Sequence, residues 1–218
     1  GQGLMYQAKL LNANPFVAIY DGVFDADTAQ VAIQAGEARL EQPTYGTAEG
    51  RVTGEKRTNL AALIDQWQVL ELTELATRIS GILRLPPENC ETSKLLKYEG
   101  DQLFDVHFDG YSRDGTSAHL LDRGGQRLFT TLCYLNTLDG EEGHTAFPNL
   151  KVAVRPKLGR VLVFANTPPG TNTVHLDSAH VGFGPGTGVK WVLSMWWREH
   201  HFHIPRDYPP ADGEFMVY

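Results

Sequence analysis

Two cysteines, Cys90 and Cys133, are all that the 218 residues contain. That is too few for a disulfide framework, and it makes a reducing compartment, the cytoplasm, the expected setting. Cys133 lies in the strand-like run RLFTTLCYL and reads as a small buried hydrophobe. Long hydrophobic runs are also missing. The longest apolar stretches are strand-sized, so no membrane-spanning helix is expected, and no secretory signal is visible. Positive charge is in deficit: 19 Lys and Arg against 26 Asp and Glu give a formal net charge of -7. Such a balance argues against nucleic acid or an anionic membrane as the main partner. No internal repeat or low-complexity segment is visible.

What remains is an ordinary globular composition, 42% hydrophobic and 21% charged, long enough for one domain over residues 1–218 with a sizeable core. The first third reads as helical support, about residues 14–90. In DADTAQVAIQAGEARLE, Asp25 is a plausible N-cap and Val31, Ala35 and Ala38 follow at helical spacing. In WQVLELTELATRISGILRL, Leu72, Leu75, Ala76, Ile79 and Leu83 form one stripe, which Pro86 and Pro87 terminate. From Thr92 the pattern changes to short β-rich runs: TSKLLKY, LFDVHFD, RLFTTLCYL, KVAV, RVLVFA, TVHL and VKWVLSMWW. Many short strands separated by turn residues predict an α+β protein with a sandwich, barrel or jelly-roll core over about residues 92–198, the helices packed on its outside. Pro205, Pro209 and Pro210 make the tail, 199–218, irregular.

Within this frame LFDVHFDGY, Leu103 to Tyr111, poses a chemical question. Strand alternation puts Asp105, His107 and Asp109 on one face and Phe104, Val106 and Phe108 on the other. The polar face could be solvated or could hold a metal, and a lone His-x-Asp does not decide. A third ligand could come from His119, His144, His175, His180, His200, His201 or His203. His180 stands out because a Gly-rich turn after it leads into a strand carrying Lys190, an arrangement that His175 lacks. The cluster at 200–203 reads as a solvated tail. Two histidines and a carboxylate are the ligand set of non-haem Fe(II) oxygenases. On the strand VKWVLSMWW, Val189, Trp191, Leu193, Met195 and Trp197 make an apolar face, leaving Lys190, Val192, Ser194, Trp196 and Arg198 on the other. If that strand is central, Lys190 is buried, and a buried ammonium calls for an anion. A ligand carboxylate is one answer; a lysine snorkelling at a rim is the other.

These segments together resemble the prolyl 4-hydroxylase branch of the 2-oxoglutarate- and Fe(II)-dependent oxygenases. LLKYEGDQLFDVHFDG is similar to that family's tyrosine-bearing strand, Gly turn and His-x-Asp strand. RLFTTLCYLNTLDGEEGHTAFPNL resembles its Arg-x-x-Thr strand, acidic-Gly turn and Thr-x-Phe-Pro segment. VRPKLGRVLVFAN and HVGFGPGTGVKW resemble the strand before the distal histidine and the spacing from that histidine to a lysine. NPFVAIYDGVFDADTAQ and KRTN look like its N-terminal strand-helix entry and its Arg-Thr-Ser segment, so the likeness runs from about Asn14 to Arg198.

Carried over, the resemblance implies a double-stranded β-helix in which His107, Asp109 and His180 ligate Fe(II). Lys190 would bind the distal carboxylate of 2-oxoglutarate, with Tyr98, Thr130, Tyr134 and Thr145 around it, and Trp196, Arg57 and Arg198 would face substrate. It further implies O2 as cosubstrate, ascorbate to keep iron reduced, succinate and CO2 as products, and a proline-containing peptide or protein as partner. A carboxylate at Asp109 favours hydroxylation over halogenation, which needs a small residue there. Asn59 in place of serine and Glu142-Gly143 in place of a Gly-Gly pair depart from the family pattern without touching metal or cosubstrate positions. A hydroxylase of a free amino acid or small molecule, and a non-catalytic jelly-roll binding module, are the alternative readings.

Overall fold

The structure, a computed structural model, describes residues 6–203; Pro205, Pro209 and Pro210, and most of the predicted irregular tail, lie outside the described residues. Asp25 does cap a helix, its carboxylate accepting the Thr28 N–H at 2.9 Å at the start of α1 (Ala26–Gly36). The buried side of α1 is Ala29, Ala32 and Gly36, rather than the Val31–Ala35–Ala38 stripe that spacing suggested. Ala38 falls in a short 3-10 turn, Glu37–Arg39, and is exposed. Small residues win because the helix sits close to the sheet: a Cβ on Gly36 would lie 2.9 Å from Leu95. The second helix, α2 (Leu70–Leu83), buries Leu72, Leu75, Ala76 and Ile79 as predicted. It ends in Arg84, left-handed at φ 57°, before the prolines are reached.

The strands are β1 (Gln7–Asn12), β2 (Val17–Asp21), β3 (Tyr45–Thr47), β4 (Gly50–Val52), β5 (Leu60–Ile64), β6 (Ser93–Glu99) and β7 (Phe104–His107). They continue with β8 (Arg127–Tyr134), β9 (Thr145–Phe147), β10 (Val152–Val154), β11 (Val161–Ala165), β12 (His180–Gly182) and β13 (Val189–Arg198). Seven form one sheet in the order β1-β2-β11-β8-β13-β6-β5; four form a second in the order β10-β9-β12-β7; β3 and β4 pair alone. The expected helical support, about residues 14–90, also supplies two strands to the large sheet: β2, where the resemblance implied an entry strand, and β5; β1 precedes it. Their apolar runs are only five or six residues long, too short to separate from helix turns by periodicity. TVHL, read as a strand, is an irregular link into a 3-10 turn at Leu176–Ser178.

Strand alternation gives the large sheet two apolar faces. Leu95, Cys133, Val161, Val163, Leu193, Met195 and Trp197 pack against α1 and α2, whereas Leu96, Tyr98, Tyr134, Leu162, Phe164 and Val192 point between the sheets toward Phe147 and Val154. β13 lies between β8 and β6, so its second face turns inward and carries Lys190 with it. The site belongs to this inter-sheet layer.

Candidate metal centre and cosubstrate pocket

β7 and β12 pair antiparallel with His107 opposite His180, and Phe104 opposite Gly182. Three steps along β7 thus face two along β12, which is a β-bulge. The extra residue breaks the alternation expected of LFDVHFD. Phe104 and His107 come to one side, their rings stacked at 3.4 Å between centroids, while Asp105, Val106 and Phe108 are exposed. Asp109 follows beyond the end of β7 and turns inward, 7% exposed. The polar face is half-buried at His107, buried at Asp109 and wet at Asp105.

Each histidine is oriented by a backbone carbonyl. His107 Nδ1 lies 2.6 Å from Asp105 O, and His180 Nδ1 lies 2.9 Å from Ser178 O. A carbonyl only accepts, so both Nδ1 atoms carry the proton and both Nε2 atoms present a lone pair. Those lone pairs meet Asp109 Oδ1 at 3.2 and 3.3 Å. The three ligand atoms lie within 4.8 Å of one another. With both imidazoles neutral, the two Nε2 lone pairs and the carboxylate are three inward-facing acceptors, an arrangement suited to a cation. Burial, and then the neighbouring His180, push His107 down to about 4, so it is neutral and free to coordinate. Burial would lower His180 as well, but Asp109 overcomes it and the pKa is raised. Asp109 stays ionised despite burial because both imidazoles hold its pKa well below the usual carboxylate range. Its other oxygen, Oδ2, accepts from Thr130 Oγ1 at 2.7 Å and from Trp196 Nε1 at 3.1 Å. Asn166 Nδ2 donates to Thr130 in turn, at 2.9 Å. Such outer contacts fix a ligand's orientation. Two imidazoles and one carboxylate, arranged this way, are suited to Fe(II) with positions left for further ligands.

A cavity opens from these ligand atoms toward Lys190. Phe104, Tyr98, Thr145, Gly182, Lys190 and Val192 line this part of it. Lys190 is 1% exposed; its Nζ donates to Phe183 O at 2.8 Å and lies 4.5 Å from the centre of the Tyr98 ring. Among the described residues no carboxylate meets it, and burial pulls its pKa to about 7. Burial also pushes the Tyr98 hydroxyl up to about 12, keeping it a hydrogen-bond donor. An ammonium and a phenol converging in a buried pocket are suited to the distal carboxylate of 2-oxoglutarate.

Not every predicted residue reaches the cavity wall. Thr130 stands one layer back, behind Asp109. Tyr134 is also set back, its hydroxyl 2.7 Å from Thr145 Oγ1. Trp196 and Arg57 line the cavity. Arg198 does not: its guanidinium donates to the carbonyls of Leu120, Arg123 and Gly125 and to Glu91, so it fastens a loop rather than facing substrate. His175, the rival ligand, turns instead toward Asn14. Several contributors carried no individual prediction: Glu91, Arg127, Asn166, Lys94 and Ser194. For the last two, parity with Tyr98 and Lys190 on adjoining strands was the available signal. The larger cavity, between the end of α2 and the outer face of β2 and β11, contains none of the predicted site residues.

Residues 93–198 match the 2OG-Fe(II) oxygenase superfamily. A prolyl 4-hydroxylase candidate of Acanthamoeba polyphaga mimivirus is 35% identical over 119 residues, 54% of this chain and 49% of its own length. The chain therefore spans about half the length of that relative. The crystal structure of a viral collagen prolyl hydroxylase from Paramecium bursaria Chlorella virus-1, in a 2-oxoglutarate complex, superposes with a TM-score of 0.57 at 22% identity, covering 84% of this chain and 94% of that one. A prolyl hydroxylase of Trichoplax adhaerens, bound to a peptide fragment of a hypoxia inducible factor, gives a TM-score of 0.60 at 15% identity, covering 87% and 86%. At these identities the structural likenesses establish the fold.

Proposed function

We propose that this chain, whose residues 93–198 belong to the 2OG-Fe(II) oxygenase superfamily, hydroxylates prolyl residues in a peptide or protein. The observation that carries the reading is the convergence of His107, Asp109 and His180 on one point, in the same cavity as an unpaired buried lysine. That similar proteins and folds bear the name prolyl hydroxylase supports the choice of substrate. Fe(II), together with 2-oxoglutarate and O2, supplies the oxidising power to convert an unactivated C–H to C–OH, with succinate and CO2 as by-products and ascorbate as the reductant that maintains the metal.

The protein's own part is positioning. Asp105 O and Ser178 O keep the two Nε2 lone pairs directed inward. Thr130 and Trp196 hold Asp109 Oδ2, leaving Oδ1 toward the histidines. Lys190 and Tyr98 anchor the cosubstrate's far carboxylate, which aims its keto-acid end toward the ligand atoms. Phe104, stacked on His107, and Leu132 exclude water from the reacting region. Cys90 and Cys133, free and buried, support a reducing, cytoplasmic setting; none of the described helices is long and apolar enough to cross a membrane.

The test is an anaerobic titration with Fe(II), then 2-oxoglutarate, watching for a visible metal-to-ligand charge-transfer band that His180→Ala abolishes. Aerobic incubation with proline peptides should then add one oxygen to the peptide, read by mass spectrometry. Metal binding without a band would refute the oxygenase reading at the cosubstrate.

A further inference from the structure

Cationic groups that neither metal nor cosubstrate accounts for stand on and beside the cavity wall. Arg57 is 4% exposed and lines the cavity, its Cζ 4.1 Å above the Phe104 ring. It donates once, from Nη1 to Thr44 O at 3.1 Å, and its buried Nε has no partner. Lys94 Nζ sits 5.4 Å from the Trp196 ring, and the Arg127 guanidinium sits 4.4 Å from the same ring. Among the described residues Lys94 makes no ion pair, and it is pushed down to about 8 by burial and then by Arg57 and Arg127. Ser194, paired with Lys94 across β13 and β6, lines the cavity with a buried Oγ that has no partner.

The nearby carboxylates are committed elsewhere. Glu91 binds Arg127 at 2.7 Å and Arg198 at 3.0 Å, and Asp109 faces the metal position. Arg51, the remaining charged neighbour, adds positive charge and is held at Thr44. In a chain of net charge -7, this concentration of unneutralised cation is local. A cosubstrate held by Lys190 does not extend to Lys94, which sits opposite Ser194. Lys190 and Ser194 are four residues apart on β13, roughly 13 Å at about 3.3 Å per residue, which exceeds the five-carbon chain of 2-oxoglutarate.

We propose that Lys94 and Arg57, with Ser194, bind a carboxylate of the substrate, so that the enzyme selects a proline next to an acidic residue or one bearing a free C-terminal carboxylate. The inference rests on the prolyl reading for the position of the reacting carbon, and it deepens that reading by assigning the substrate's charge. Trp196 holds the geometry: Lys94 and Arg127 each lie against its ring while its Nε1 donates to Asp109. The carboxylate site and the metal site thus share one rigid side chain.

Binding to the anaerobic Fe(II)–2-oxoglutarate protein, measured by calorimetry, tests this without turnover. The probes are acetylated, amidated Gly-Asp-Pro-Gly and Gly-Pro-Asp-Gly against their Asn counterparts, and acetyl-Gly-Gly-Pro as free acid against its amide. At least one charged member should bind about tenfold more tightly than its neutral twin, with the preference weakening in salt and largely lost in Lys94→Gln. The pair that discriminates identifies the source, side chain or chain terminus. Equal affinities within every pair, or a preference that Lys94→Gln leaves intact, would overturn the proposal. Mass spectrometry after exposure to O2 separates the two readings. Charge preference without hydroxylation sinks the prolyl reading and sustains the subsite, whereas hydroxylation with no charge preference does the reverse.

Discussion

Lys190 should make cosubstrate binding depend on pH, with a slope the structure fixes. Before the cosubstrate binds, burial holds its pKa at about 7 instead of 10.5. At about 1.4 kcal/mol per pH unit this is roughly 5 kcal/mol against the ammonium form, an upper figure because Phe183 O and the Tyr98 face already receive the head group. A carboxylate arriving beside Nζ favours the charged form, so above pH 7 each binding event takes up a proton. Affinity for 2-oxoglutarate should then fall about tenfold per pH unit above 7 and level off below it. Anaerobic titrations of the charge-transfer band at about pH 6.5, 7.5 and 8.5 measure this directly. A constant affinity across that range would refute it.

Lys190→Met supplies the counterpart. Binding should weaken and lose its pH slope. Stability should move the other way. Because the folded pKa is depressed, the unfolded chain holds the extra proton between pH 7 and 10.5, so the lysine destabilises the fold below 10.5, fully so by pH 7. The methionine variant should therefore be more stable than the parent near pH 7 by a few kcal/mol, with the gap closing as pH approaches about 10.5. Urea unfolding at two pH values checks it, and a variant less stable than the parent at pH 7 would show that the ammonium is already well paired.

Three further substitutions probe the surroundings. Gly182→Ala would place a Cβ 2.9 Å from Tyr98 Oη, displacing the phenol and raising the 2-oxoglutarate requirement about tenfold, or about 1.4 kcal/mol; steady-state succinate formation measures it, and an unchanged requirement would remove Tyr98 from the pocket. Thr130→Val leaves Asp109 Oδ2 with Trp196 alone and should lower metal affinity about 10- to 100-fold, read by anaerobic Fe(II) titration, with no change contradicting the orienting role. Glu91→Gln breaks a buried pair of ion contacts to Arg127 and Arg198 and should cost about 3 kcal/mol in urea unfolding; a neutral result would mean the two guanidiniums find other partners.

The legible parts of this protein are those where local pattern and tertiary environment agree. α2 is legible because its stripe of Leu72, Leu75, Ala76 and Ile79 is wide and apolar. Lys190 is legible because the pairing of β13 with β6 runs in regular register from Val189 to Ser194, which keeps its two faces distinct. Elsewhere the signal was masked. The buried side of α1 departs from its apolar spacing because Gly36 approaches Leu95 and Ile64 closely, a distance that hydrophobicity does not encode. Strands β1, β2 and β5 are shorter than a pattern needs. In β7 the bulge cancels the parity that made Asp105 a partner of His107, and only the register against β12 shows it. Arg198 shares parity with Lys190, so its inward side was predictable; that three carbonyls and Glu91 absorb its donors was not, because those partners lie far apart in sequence.

One strand organises the whole site. The inward residues of β13 run Lys190, Val192, Ser194, Trp196, from the cosubstrate anchor past an apolar spacer to the substrate end, and β6 repeats the order in reverse with Tyr98, Leu96 and Lys94. Tyr98 thus faces the lysine that holds the cosubstrate, and Lys94 faces the serine left without a partner. Because side chains two positions apart on such a ladder are separated by about 7 Å, the two ends interact weakly while sharing a rigid backbone. A change at 94 or 194 can alter which substrate is taken without moving Lys190, whereas the metal ligands, borne by β12 and the β7 segment of the opposite sheet, stay fixed over the middle. On the proposed reading the Lys94 side is a specificity element laid on an unaltered metal site, so substitutions at 94 or 194 should shift substrate preference while Fe(II) affinity stays unchanged, which an anaerobic Fe(II) titration checks.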